Sequence, residues 1–218
     1  MIEWNYGEPT VLVRACGSDL KSFHRDFQYP SEVGARVTAP YPGIFGVAKD
    51  GHPGWVMYGE KPDTVFMVIA ADAASQDVRG QRTTLGATIL HIGDALSAYQ
   101  FTGWHHEVPF WAAGYALHVL KRKPYPEGFP LLEKDVQALG WYANYVVKQR
   151  LPAYLERVLL EDVYAARMYA CHSRKERWAE LELLLQTTGE EPLYRHWLGL
   201  PGPIWEPWRT YSPRQQIT

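Results

Sequence analysis

The chain predicts an α+β fold: a small, twisted antiparallel sheet in the N-terminal half, packed with a C-terminal bundle of three to four helices. Three observations carry this expectation. Short β-branched runs bounded by Gly and Pro fill the first half, apolar residues recur at helical spacing in the second, and the period changes near Val108.

Thr10 to Ala15 is β-branched, lies between Pro9 and Gly17, and reads as the first strand. Ser18 to Phe23 fits one helical turn capped by Ser18. Strand pieces follow between Gly34 and Val47, broken at Pro40-Tyr41-Pro42-Gly43. Trp55 to Tyr58 is a short strand between glycines. Thr64 to Ala71 is a continuous apolar run, as a strand buried on both faces requires. Thr83 to Ile92 supplies another strand, terminated by Gly93-Asp94.

Asp94 predicts the N-cap of a helix over Ala95 to Phe101. Pro109 suits the first position of the next helix, which ends at the basic run Lys121-Arg122-Lys123. Helices are then expected over 131–150, 152–172 and 173–187. The last has Ser173 and Glu176 in a capping-box relation and Gly189 as its stop. No internal repeat is expected. The Pro-rich joint 124–130 divides a β-rich region, 1–123, from a helical region with an aromatic tail, 131–218, unless both form one compact domain.

With 218 residues, 46% of them hydrophobic, the chain can bury a core without staples. A net charge of -2 gives no electrostatic reason to expect nucleic acid. Cys16 and Cys171 cannot build a disulfide framework and suggest a reducing compartment. The first residues lack a signal-peptide pattern, and no apolar run is long enough to span a bilayer. A cytoplasmic protein without a membrane segment is therefore expected.

Phe27-Gln28-Tyr29-Pro30, Gly34 and Val37-Thr38-Ala39-Pro40 form a recognisable series, followed by Thr64 to Ala70 and Gly93-Asp94-Ala95-Leu96-Ser97-Ala98. In these motifs the N-terminal half resembles an uncharacterised domain found in bacteria and their phages. The resemblance implies a phage or mobile-element setting and transfers no activity. The chain departs from that pattern where Pro42 to Val47 replaces a Cys-Gly and a Gly-Leu-His.

Among chemistry-bearing residues, His105-His106-Glu107 with His91 and His118 is the densest ligand-type group. The spacing matches no metal motif, and no metal is expected. Cys16, with His24 nearby in sequence, is the one position for a nucleophile at a strand end. No nucleotide-binding glycine motif is present, and no cofactor is expected. An ADP-ribosyltransferase-like site for NAD or another nucleotide would use Arg14, Thr84 and Glu107, but the usual pairing before the catalytic Glu is missing. Basic residues in the second half alternate with acidic ones, which marks a solvated face rather than a phosphate track. The tail is aromatic: Trp197, Trp205, Trp208, Arg209 and Tyr211 are of the types that dominate binding hot spots. The sequence thus favours a binding or regulatory protein acting through a protein partner, with a nucleotide-handling enzyme as the alternative.

Overall fold

The computed structural model describes residues 10–22, 27–39, 43–54, 63–76, 81–189 and 191–200. It is an α+β fold. Strands β1 (Thr10–Cys16), β2 (Arg36–Thr38), β3 (Ile44–Val47), β4 (Val65–Ala71), β5 (Ser75–Gln76), β6 (Gln81–Thr84) and β7 (Gly86–Gly93) form one sheet. Its order is β2-β7-β4-β1-β3-β6-β5, with every described pairing antiparallel. The apolar run of β4 is central, between β1 and β7, as its composition requires. The strand expected over Trp55 to Tyr58 lies outside the described residues.

The single strand expected over Thr83 to Ile92 is instead two, β6 and β7, with only Leu85 between them. They are not neighbours in the sheet: β4, β1 and β3 stand between. In a flat sheet those four steps would span about 19 Å. The Thr84–Gly86 link reaches only about 7 Å. The sheet must therefore curl until its two sides meet at Leu85, forming a small barrel. On the β7 side the ladders run up to this corner: Ala39 N–H donates to the Leu85 carbonyl (2.9 Å), continuing β2–β7, and Asp72 N–H to the Gly86 carbonyl (3.0 Å), continuing β4–β7. Gly46 is required inside: a Cβ there would lie 2.7 Å from the Leu12 Cβ.

Alternation along β1 separates two apolar layers. Leu12 and Cys16 join Tyr29, Ile44, Met67 and Ile89 inside the curl. Val13 joins Val47, Phe66 and Val68 outside it, under Tyr99 and Trp111. Those rings come from α1 (Ala95–Thr102), capped by Asp94, and α2 (Pro109–His118), which begins at its proline. Trp111 faces the sheet, while Ala112, Ala113 and Ala116 pack into the helical layer, so α2 serves both cores.

The long helices expected after residue 130 are broken into α3 (Phe129–Leu132), α4 (Val136–Trp141), α5 (Ala153–Leu159), α6 (Val163–Tyr169), α7 (Ala179–Thr188) and α8 (Glu191–Trp197). A π-helical segment extends α4 over Tyr142–Val147, and another extends α6 over Ala170–Arg174. Gly189 closes α7 in the left-handed region, as expected. Ser173 does not cap that helix. It lies in the second π segment, where its hydroxyl donates to the Ala143 carbonyl (2.8 Å). Ser18 likewise starts no helix; the chain turns through Leu20 at φ 60° and Lys21 bridges Gln28.

These helices repeat, contrary to expectation. Asp135 caps α4, accepting the N–H of Gln137 and Ala138, and Asp162 caps α6, accepting that of Ala165. Both helices continue as π segments, and both end in a left-handed lysine, Lys148 and Lys175. Three tyrosine hydroxyls, of Tyr142, Tyr169 and Tyr194, accept the backbone N–H of Tyr125, Leu151 and Trp178, at 2.8–2.9 Å. Each bond ties the start of one two-helix unit to its second helix. In the second unit Tyr169 also donates to buried Glu156 (2.8 Å), with Arg150 at 3.5 Å and Arg174 at 3.8 Å. In the third, Tyr194 donates to Glu182 (3.3 Å), which also accepts from Arg177 (2.8 Å). The first unit substitutes a ring, with Phe129 edge-on to Tyr142 at 6.1 Å. The 124–130 segment belongs to this first unit, and its Tyr125 is buried. Among the described residues, no helix is long and apolar enough to cross a membrane.

Candidate functional site

Arg14 and Thr84 both face the barrel interior. Arg14 alternates with Leu12 and Cys16 on β1, and Thr84 lies opposite Ile44. The Arg14 guanidinium stacks 4.3 Å from the Tyr29 ring, burial lowers its pKa, and its Nε has no hydrogen-bond partner. The Thr84 hydroxyl donates to the Gly86 carbonyl (2.7 Å). Glu107 is on the other side of the sheet. It follows the short 3-10 turn Trp104–His106, whose Trp104 packs on the outer layer, and it pairs with Lys49. The structure brings Arg14 and Thr84 to one face and leaves Glu107 on the opposite one.

The histidines are packed rather than convergent. His105 stacks on Tyr115 (4.5 Å, 9° between planes), and burial pushes its pKa down to about 4. His118 Nδ1 lies 2.8 Å from the Tyr99 hydroxyl. Among the described residues, no group of three or more His, Cys, Asp or Glu is placed to hold a metal. Cys16 is buried with its thiol pushed up to about 11, so it is protonated at neutral pH. His24 lies outside the described residues.

Of the aromatic tail, Trp197 is described; Trp205, Trp208, Arg209 and Tyr211 lie outside the described residues. Trp197 ends α8, is 55% exposed, and meets His172 edge-on at 5.3 Å. The repeat gives it company that the sequence reading missed. Trp197, His172 and Tyr145 each stand one helical turn beyond the capping tyrosine of their unit, Tyr194, Tyr169 and Tyr142. Each ring thus stands at the same offset from the buried capping tyrosine of its unit, so successive units carry one ring each at an equivalent place in sequence. Tyr145 is 52% exposed.

Beside Tyr145 opens a cavity of about 200 Å³, lined among others by His52, Phe110, Trp141, Asn144, Tyr145 and Tyr164. His52 is fixed because its Nδ1 accepts the Gly54 N–H (2.9 Å). Its ring lies 4.5 Å from both Phe110 and Trp141, so β3's following loop, α2 and α4 converge on one aromatic wall. Burial lowers the His52 pKa, leaving it neutral at pH 7. The first π segment supplies Asn144 and Tyr145. A π segment inserts a residue into helical register, which here brings a polar amide into the wall. Asn144 is 5% exposed and its Oδ1 has no partner. At the rim, Gln137 Nε2 donates to Asp162, the carboxylate that caps α6. Gly140 permits the close crossing of α4 and α6, since a Cβ there would sit 2.9 Å from that of Ala165.

No family model matches the chain, and no curated protein or solved structure matches it either.

Proposed function

We propose that the protein is a binding or regulatory module that takes up a protein partner on the face formed by successive helical units. The observation that carries this reading is the aromatic series Tyr145, His172 and Trp197 at equivalent places in successive units, Tyr145 and Trp197 exposed and His172 partly buried, with an aromatic cavity beside Tyr145. Rings of this kind supply large contact area at little entropic cost, and stacked two-helix units commonly use one face for binding. Trp205, Trp208, Arg209 and Tyr211, which follow the third unit in sequence, are further candidate partner-binding residues.

A photo-crosslinking residue at Tyr145 or Trp197 tests it in lysate of the native host. Both positions should capture an adduct of the same mass, while Val33, 63% exposed on a barrel loop, should not. Equal capture at all three positions, or none at either ring, would count against the proposal. A phage or mobile-element setting is checked by the genes that flank the coding sequence.

The nucleotide-handling alternative retains one supporting observation. Arg14 is a buried guanidinium with an unpartnered Nε and no acidic partner among the described residues. Glu107 on the far side of the sheet weighs against it. NAD and nucleoside phosphates should raise the melting temperature of the native chain and not of Arg14→Gln if this reading holds.

A further inference from the structure

One edge of the helical layer is basic. The chain leaves α2, and the π segments that extend α4 and α6, through a lysine with left-handed backbone: Lys121 (φ 53°), Lys148 (φ 51°) and Lys175 (φ 55°), at equal intervals along the sequence. We infer that these three corners form a docking edge for an acidic, extended segment of the protein partner, whose carboxylates pair with the lysine ammonium groups. This deepens the protein-binding reading and rests on it for the partner being a protein.

Left-handed backbone crowds any residue that has a Cβ, so glycine is the usual choice at such a helix end. The same chain uses glycine there after α1 and α7, at Gly103 and Gly189. Among the described residues five non-glycine positions have positive φ, and four of them are the cations Lys121, Arg122, Lys148 and Lys175. The carbonyls of a helix end favour a cation, and Lys121 uses them, its ammonium donating to the His118 carbonyl (2.8 Å). Lys148 and Lys175 do not. Their backbone N–H groups close the turn on the Ala143 and Ala170 carbonyls, while their side chains are exposed and pair with no carboxylate among the described residues. Backbone strain of this kind concentrates at sites of binding.

Helices α2, α4 and α6 pack in succession, which brings the corners side by side. Arg122 of the first corner donates to the Tyr145 carbonyl just before the second, and Arg150 of the second lies 3.3 Å from Glu176 of the third. Residues 121–123, 148–150 and 174–177 hold eight of the chain's 22 Lys and Arg residues and a single acid, Glu176. Helices packed in this way lie about 8–10 Å apart. In an extended polyproline-type chain, rising about 3.1 Å per residue, every third side chain falls at that interval and on one side. Arg150, Arg174 and Arg177 carry the planar forks that suit phosphate, but the protein's own carboxylates hold them: Glu156 the first two and Glu182 the third. A partner meets chiefly lysine ammonium groups with Glu176 among them, an arrangement that favours separate carboxylates over a continuous run of phosphates.

Fluorescence anisotropy of the full chain with a labelled peptide of Glu-Ala-Pro repeats tests the inference. The same peptide with Gln in place of Glu, and an oligothymidylate of equal charge, serve as comparisons. The Glu peptide should bind saturably and lose about 10-fold in affinity between about 50 mM and 300 mM salt, whereas the Gln peptide should not bind. Lys121→Gly, Lys148→Gly and Lys175→Gly combined remove the charges and suit the left-handed backbone. That variant should melt close to the native temperature and bind the Glu peptide about 10-fold or more weaker. Equal binding by the native chain and the glycine variant overturns the inference. So does a lack of saturation by about 1 mM peptide, or tighter binding of the oligothymidylate than of the Glu peptide. Retained crosslinking at Tyr145 and Trp197 in that event would leave the binding face standing without its acidic partner segment.

Discussion

His118 makes the fold sensitive to acid in a calculable way. It ends α2, 1% exposed, wedged between Tyr99 and Phe66 with its Nε2 unpartnered. Burial pushes its pKa down to about 3, helped by the charges of Lys121 and Arg122. In the unfolded chain the imidazole titrates near its ordinary value of about 6.5. Because the folded value is the lower one, the neutral ring's contribution is fully present above pH ~6.5. It is lost as the pH falls, since the unfolded state binds the proton first. Between those two values the loss is about 1.4 kcal/mol per pH unit, or about 2 kcal/mol from pH 6.5 to pH 5. Urea unfolding of the native chain and of His118→Gln across that interval measures it. The variant will be less stable at every pH because Tyr99 loses its partner; the slope is what matters. The native chain should lose about 2 kcal/mol more than the variant over the interval. Parallel curves would mean that His118 is not held neutral, and would refute the reasoning.

The three capping tyrosines should behave alike: Tyr142→Phe, Tyr169→Phe and Tyr194→Phe each strand a backbone N–H and should cost about 1–3 kcal/mol by chemical denaturation. Glu156→Ala should cost more than Tyr169→Phe, about 3 kcal/mol, because it also leaves Arg174 largely buried without its partner. Gly140→Ala should destabilise by about 1–3 kcal/mol, and Ala165→Gly should recover part of that loss in the double variant. Asp135→Ala and Asp162→Ala should each lower stability by about 1 kcal/mol, measured by thermal melts, as the loss of an N-cap does.

Local signals were readable where the chemistry is local. Asp94 and Pro109 mark helix starts because a carboxylate cap and a fixed φ act within one turn. The β4 run reveals its central place because both its faces are buried. What escaped depends on distance. Thr83 to Ile92 reads as one strand because nothing local says that its two halves pair with opposite sides of the sheet. The repeat Asp-Val-x-Ala-x-x-x-Tyr-Ala, at Asp135 and again at Asp162, is legible once the capping tyrosines are known. It fades in the third unit, where Gly189 interrupts it. Of the candidate site, Trp197 is legible as part of the aromatic tail, whereas Asn144 is hidden inside an apolar helical stretch. A lone amide between Ala143 and Val146 was the available signal, and helical spacing treats such a residue as noise. Arg14 is legible as an arginine on the first strand, but sequence cannot reveal that Glu107 sits across the sheet from it.

Closure at Leu85 also bears on how copies of the chain behave in concentrated solution. A sheet that ends in long open strands invites other chains to add to it, and such addition propagates into filaments. Here β6 and β7 run into one another, so the described sheet offers only β2 and β5 as outer strands, with three and two residues. Each can donate or accept too few ladder bonds to hold a stranger.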